Sequence, residues 1–217
     1  MTLNVKYLRR YTDLSALIYL LAEQKITLLD PQSWDDRNDS YYLSLYKKSK
    51  NLKSVLALCF TMASERYHFW RVYGVGLSGV RIRFKRKELL DAVRKTQGLR
   101  MESVEYPKLD KIDKTTLPIS KFPFVKRYAF KDEIEFRMVY ESEKERITKL
   151  DIPISLSCID KIVLNPWLHP DLFYHVREAL CSIKDCRSLT IVHSKLIDNK
   201  RWQAAGDKAI KTGGGLE

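Results

Sequence analysis

Strand-like segments outnumber helical segments in this chain, and the two kinds do not alternate. Apolar and β-branched runs predict strands over residues 26–29, 54–62, 80–84, 101–106, 134–140, 148–154, 161–164 and 189–193. Helical spacing is found over residues 14–21, 63–73, 88–94 and a segment that begins at residue 170. Since a doubly wound sheet requires strict alternation, this order predicts an α+β fold with a mixed or antiparallel sheet flanked by helices. We expect one domain over residues 1–212, with strand 134–140 at the centre of its sheet.

Composition narrows the class of protein. The chain has 217 residues, 45% of them hydrophobic and 30% charged, which is ordinary for a globular protein. No run is long enough to span a membrane, and the first residues lack the apolar core of a signal peptide, so we expect a cytoplasmic protein without a membrane partner. The cysteines and histidines lack the spacing of a disulfide framework or zinc site, and no metal is predicted. Residues 213–217 have the composition of a cloning remnant, and nothing indicates the oligomeric state.

The net charge of +12 is the one unusual value. Positive residues are densest over a short stretch that contains Arg81, Arg83, Lys85, Arg86, Lys87, Arg94, Lys95 and Arg100. Such a field attracts polyanions, so nucleic acid is a predicted partner, bound through the first five of these residues with little sequence specificity. The alternative is that the charge serves solubility only. A lysine-rich connection over residues 110–124 is expected to be a mobile lid.

A row of charges opens the strand predicted over residues 134–140. Because a strand alternates its faces, Glu133, Glu135 and Arg137 are expected on one side, with Ile134 and Phe136 toward the core. Neighbouring carboxylates and cations perturb one another's pKa, and many active sites use this effect. Two simpler interpretations stay open: a solvated strand face, and an ion pair without a catalytic role.

Several motifs, in this order, resemble a bacterial family known only as domain of unknown function 2971. The matching pieces are Arg9-Arg10-Tyr11-Thr12-Asp13, Ser33-Trp34-Asp35-Asp36, Cys59-Phe60-Thr61, Phe69-Trp70-Arg71-Val72-Tyr73, Gly79-Val80, Arg81-Ile82-Arg83-Phe84, Val104-Glu105-Tyr106, and Lys131 with Glu133-Ile134-Glu135-Phe136-Arg137. The resemblance covers roughly residues 5 to 195. The sequence departs from the family at Arg37, Arg83 and Phe136, which puts the ligand and the activity of this chain in question.

The layout of these motifs is similar to that of ADP-ribosyltransferases of the DarT group, which modify DNA. The resemblance implies an NAD site in which Glu135 hydrogen-bonds the ribose and stabilises its cationic transition state, while Glu133 completes a Glu-x-Glu pattern. The NAD-binding residues that it implies are Arg10, Tyr11, Asp36, Thr61, Trp70, Tyr73 and Arg137. Each has a simpler alternative, such as core packing for Trp70 or an Asx turn for Asp36.

Three functions follow from these patterns. The first is an NAD-using ADP-ribosyltransferase or NAD glycohydrolase, acting as a toxin or anti-phage effector on an acceptor such as nucleic acid. The second is an effector that binds or cleaves nucleic acid without NAD chemistry, and the third is a catalytically inert interaction module. For the first, we expect Glu135→Gln to lower the rate about a hundredfold and to leave the fold intact.

Overall fold

The computed structural model describes residues 5–74, 76–112, 114 and 116–211. Its strands are β1 (Tyr7–Asp13), β2 (Lys25–Leu29), β3 (Ser54–Thr61), β4 (Gly79–Lys85), β5 (Leu99–Ser103), β6 (Glu135–Ser142), β7 (Lys149–Pro153), β8 (Ile159–Leu164) and β9 (Ile191–His193). Its helices are α1 (Leu14–Glu23), α2 (Arg37–Ser49), α3 (Tyr67–Tyr73), α4 (Arg86–Val93), α5 (Leu109–Ile112), α6 (Pro170–Ser182) and α7 (Lys200–Lys211).

The strands form one mixed sheet, in which seven of them follow the order β5-β6-β3-β1-β4-β8-β9. The pairs along this path are antiparallel except β8 with β9, which is parallel. The two remaining strands, β2 and β7, pair with each other, and β2 also pairs with β3. This arrangement confirms the predicted α+β class and mixed sheet. The domain limits at residues 1–212 stay a prediction, and the proposed cloning remnant lies outside the described residues.

The two faces of the sheet are covered differently. One face carries the main hydrophobic core, where Leu8, Ile82 and Phe136 pack with the apolar sides of α1 and α4. The second face carries two smaller apolar clusters. In one, α2 covers β3 and β6, and in the other, α3 covers β1 and β8. Among the described residues, no α-helix lies over the stretch of sheet between α2 and α3.

The sheet also opens along one edge of β3. Arg9 on β1 pairs with Thr61 at the end of β3, whereas Leu29 on β2 pairs with Ala57 near its middle. The backbone carbonyl of Cys59, which lies between these two positions, accepts a hydrogen bond from the guanidinium of Arg10 at 3.3 Å. An arginine side chain thus takes the place of a strand at this point. The opening is reached from the second face of the sheet, between α2 and α3.

Several expectations about individual elements were wrong. Strand β6 is not central, because it lies next to β5 at one end of the sheet, and the interior strand β1 was not predicted at all. Residues 119–124, the end of the predicted lid, pack against α2, and Phe124 is fully buried. The helix predicted over 63–73 begins only at Tyr67. Helix α2, which begins at Arg37, was not among the predicted helices.

Candidate active site

A cleft of about 450 Å³ occupies the opening in the sheet. Its floor comes from the second face of β1, β2 and β3, and its walls come from the start of α2, the end of α3 and the turn before β6. The residues that line it are Arg9, Arg10, Tyr11, Thr27, Leu29, Trp34, Asp35, Asp36, Asp39, Ala57, Cys59, Phe60, Thr61, Phe69, Val72, Tyr73, Lys126, Phe130, Glu133 and Glu135. This volume is in the range of small-molecule sites.

Arg137 anchors the charged residues at one end of the cleft. Its side chain is fully buried, and all five of its N–H donors are used. Two bonds reach each carboxylate: Asp39 at 2.8 and 2.7 Å, and Glu135 at 2.7 and 3.0 Å. The fifth goes to the backbone carbonyl of Pro123 at 3.0 Å. The guanidinium itself does not line the cleft, so its predicted NAD contact is replaced by a supporting role behind Glu135.

Glu135 is held in its charged form. Only 4% of the residue is exposed, and burial alone would raise its pKa. The charges and hydrogen bonds of Arg137, together with the nearby charge of Lys126, outweigh burial and lower the pKa of Glu135 to about 2. The Arg137 bonds occupy two of the lone-pair positions of this carboxylate, and a carboxylate has about four. The result is an ionised, fixed acceptor in the wall of the cleft.

This geometry changes the expectation for Glu135→Gln. A glutamine offers Arg137 one carbonyl oxygen where the glutamate offers two charged ones, and its amide nitrogen would face a guanidinium N–H. Removing one partner from a buried ion pair costs about 3–5 kcal/mol. The substitution is therefore expected to lower stability as well as activity, and activity has to be measured per folded molecule.

Glu133 does not continue the strand, contrary to the predicted charge row. It ends a 3₁₀ turn, and the following residue, Ile134, has a left-handed backbone with φ of 43°. Its carboxylate nevertheless lines the cleft, where it accepts bonds from Lys126 Nζ at 2.8 and 3.1 Å and from the Tyr73 hydroxyl. Burial raises the pKa of Glu133 despite these donors. Ile134 packs beside the α3 cluster and not in the main core.

Two members of this charge cluster were missed by the sequence patterns. Asp39 on α2 is 3% exposed and pairs with Arg137 across 98 residues of chain. Lys126 lies 3.7 Å from Glu135 and 3.9 Å from Asp39, in addition to its bonds with Glu133. With all five groups ionised, three carboxylates face two cations, which leaves one excess negative charge. Burial raises the pKa of Asp39 as well, and Arg137 opposes that shift.

Most of the predicted NAD-binding residues lie around the cleft. Arg10, Tyr11, Asp36, Thr61 and Tyr73 all line it. The Thr61 hydroxyl donates to the backbone carbonyl of Glu133, which ties β3 to the turn before β6.

Trp70 does not reach the cleft. It is 1% exposed, its indole N–H donates to Glu65 at 2.9 Å, and its ring packs edge-on against Tyr11. Core packing therefore replaces the predicted stacking role of this tryptophan.

The predicted nucleic-acid residues divide into two groups. Arg81 is 7% exposed and pairs with Glu65, and Arg83 pairs with Asp160. Neither is free to bind a phosphate without losing its partner. Lys85, Arg86 and Lys87 lie at the turn from β4 into α4 and retain exposed surface. The predicted interface thus shrinks to this turn.

The described residues show neither a metal site nor a membrane span. No group of three or more His, Cys, Asp or Glu side chains is placed to hold a metal ion there. None of the helices in that part of the chain combines the length and apolar character needed to cross a membrane.

Comparison with known proteins finds similar solved structures but no matching family. No family model matches the chain, so membership of domain of unknown function 2971 stays a prediction, and no curated protein matches it. Three structures of Thermus sp. 2.9 DarT are similar to it, in complex with carba-NAD+, NAD+ and ADP-ribosylated ssDNA. Their identities are 12%, 10% and 11%, each match covers 88% of this chain and 97%, 96% and 95% of DarT, and each TM-score is 0.45.

Proposed function

We propose that this protein cleaves the nicotinamide–ribose bond of NAD and transfers ADP-ribose to an acceptor. The observation that supports this most strongly is the carboxylate of Glu135, fixed and ionised by Arg137 in the wall of the cleft. A buried negative charge that needs no rearrangement stabilises positive charge that develops in a transition state. Cleavage of a nicotinamide–ribose bond produces such a charge on the ribose ring.

The lining of the cleft is suited to a dinucleotide. Arg9 and Arg10 supply positive charge for a pyrophosphate, and aromatic side chains supply flat surfaces for the rings. Thr61 adds a hydroxyl side chain to the floor. NAD is the substrate in this proposal, and the described residues provide charge, hydrogen bonds and shape for it.

Glu135 and Glu133 receive different roles. Glu135 accepts a hydrogen bond from a ribose hydroxyl and stabilises the cationic ribose as nicotinamide leaves with the bonding electron pair. Glu133 accepts the proton that the acceptor loses when it attacks the ribose. Burial raises the pKa of Glu133, which brings a carboxylate closer to the range where it serves as a base near neutral pH. A nucleic-acid acceptor and a role as a toxin or phage-defence effector are part of the same proposal.

The test is nicotinamide release from NAD, followed with single-stranded DNA, RNA and protein acceptors. We expect Glu135→Gln to lower the rate per folded molecule about a hundredfold or more. Glu141→Gln is the matched control, because Glu141 lies on the same strand and pairs with Arg100 away from the cleft. The proposal fails if the wild-type protein neither binds nor turns over NAD, or if Glu135→Gln retains activity per folded molecule.

A second candidate function is nucleic-acid binding without NAD chemistry. The net charge of +12 and the exposed cations at the turn from β4 into α4 favour it. NAD binding alone does not require such a charge. Binding of nucleic acid by a protein that leaves NAD intact would support this second function.

A further inference from the structure

Asp36 uses its two carboxylate oxygens for different purposes. Oδ1 caps the N-terminus of α2, where it accepts from the backbone N–H groups of Asn38 at 3.0 Å and Asp39 at 3.4 Å. Oδ2 is buried and has no hydrogen-bond partner among the described residues. The same residue lines the cleft. A buried carboxylate oxygen without a donor is costly, so Oδ2 is a candidate acceptor for a donor on a bound ligand.

The surroundings of Asp36 narrow the chemistry of that donor. Trp34, two residues earlier, also lines the cleft, and the guanidinium of Arg137 lies 5.1 Å from the centre of its ring. The ring of Trp34 offers a flat surface, and an ionised carboxylate such as that of Asp36 accepts hydrogen bonds but donates none. Together they suit a flat heterocycle that carries an N–H donor at its edge. A phosphate or a carboxylate would be repelled at this position.

We infer that Asp36 determines specificity by accepting a hydrogen bond from an exocyclic amino group of the bound nucleotide. This inference rests on the proposed use of NAD, and NAD carries two such groups, the carboxamide of nicotinamide and the amine of adenine. Both present an NH₂ at the edge of a planar ring. The inference gives this residue a task that its capping of α2 does not explain.

Asp36→Asn provides a sharp test, because asparagine caps helices as well as aspartate. The cap requires an oxygen at the position of Oδ1, which places the amide NH₂ at the position of Oδ2. The acceptor becomes a donor, and the preference for an amino group should be reversed. Asp36→Ser retains a capping hydroxyl and removes the second oxygen, so it should abolish the preference without reversing it. Asp13→Asn is the control, since Asp13 caps α1 through one oxygen and does not line the cleft.

The experiment measures binding by titration calorimetry and melting temperature for the wild type and these three variants. The probes are NAD, nicotinic acid adenine dinucleotide, which lacks the carboxamide NH₂, and nicotinamide hypoxanthine dinucleotide, which lacks the adenine amine. We expect the wild type and Asp13→Asn to prefer NAD over one analogue by at least tenfold, and that analogue identifies the group. Asp36→Asn should reverse the ratio of the affinities for NAD and that analogue. Its melting temperature should be no lower than that of Asp13→Asn.

The outcomes separate this inference from the proposed function. If the wild type binds NAD but its preference is unchanged in Asp36→Asn and Asp36→Ser, Asp36 is only a helix cap and the inference is wrong, while the NAD proposal stands. If the wild type binds none of the three dinucleotides, the NAD proposal fails and this inference fails with it.

Discussion

Replacing Arg137 with lysine tests whether the charge cluster depends on the geometry of the guanidinium. An arginine has five donors in a fixed plane, and all five are used here, whereas a lysine has three. At least two hydrogen bonds in the cluster must therefore be lost. Hydrogen bonds to charged groups contribute roughly 1.5–3 kcal/mol each, so the predicted loss in unfolding free energy is about 3–6 kcal/mol.

The same substitution at Arg100 is the matched control. Arg100 also makes several bonds, to Tyr46, Glu102, Glu141 and the backbone carbonyl of Ser120, but its side chain is 30% exposed. Solvent can replace partners at such a site, so Arg100→Lys should cost no more than about 1 kcal/mol.

Urea unfolding followed by circular dichroism measures both variants, and calorimetry gives their melting temperatures. For a chain of this size the loss at Arg137 corresponds to a melting temperature about 10 °C lower. Typical unfolding free energies of 5–15 kcal/mol leave enough folded protein for the comparison. If the two variants lose equal stability, or if Arg137→Lys costs less than about 1 kcal/mol, the cluster does not depend on the guanidinium and the account of Glu135 given above is wrong.

Two further predictions concern pH and salt. Because the pKa of Glu135 falls from 4.5 to about 2 on folding, its contribution to stability is present above about pH 4.5 and is lost as the pH falls toward 2. This contribution is about 3 kcal/mol, and the unfolding free energy of Glu135→Gln should lack this dependence on pH. If the variant and the wild type lose equal stability between pH 4.5 and 2, the lowered pKa of Glu135 is wrong. If nucleic acid binds at the turn from β4 into α4, replacing Lys85 and Arg86 with alanine should lower the slope of log affinity against log salt by about 2. Replacing Lys47 and Lys48 on α2 removes the same charge elsewhere and should have less effect; equal effects would exclude a defined interface.

The sequence was informative where apolar spacing determines structure. The helix over residues 14–21 and the strands over residues 26–29 and 134–140 are all found close to their predicted positions. These elements have one face in a core, so their hydrophobic period is visible in the sequence.

The elements that build the cleft were harder to predict. Strand β1 contains Arg9 and Arg10 where a core strand would carry apolar residues, because both arginines serve the opening beside β3. Helix α2 has a charged residue, Asp39, at a buried position, and that burial is tolerated because Arg137 pairs with it. The cap at Asp36 and the spacing of Leu43 and Tyr46 were the available signals for this helix.

Partners distant in the chain could not be inferred at all. Nothing local to Lys126 indicates that it lies between three carboxylates, since it enters the cluster through the path of the chain before β6. The left-handed backbone of Ile134 could not be predicted either, because a β-branched residue rarely adopts that conformation. Both features depend on tertiary packing that propensity does not encode.

The pairing of Asp39 with Arg137 has a consequence for how such a site can be transplanted. The charged segment of residues 131–137 is the most conspicuous motif of the chain. On another scaffold it would bring the guanidinium of Arg137 and the carboxylate of Glu135, but not the carboxylate of Asp39. A functional graft would need α2 as well, from the far side of a 98-residue separation. Contacts of such long range form late and slowly during folding. The cleft is therefore expected to appear only as the last parts of the sheet assemble, and not in any fragment that ends before β6.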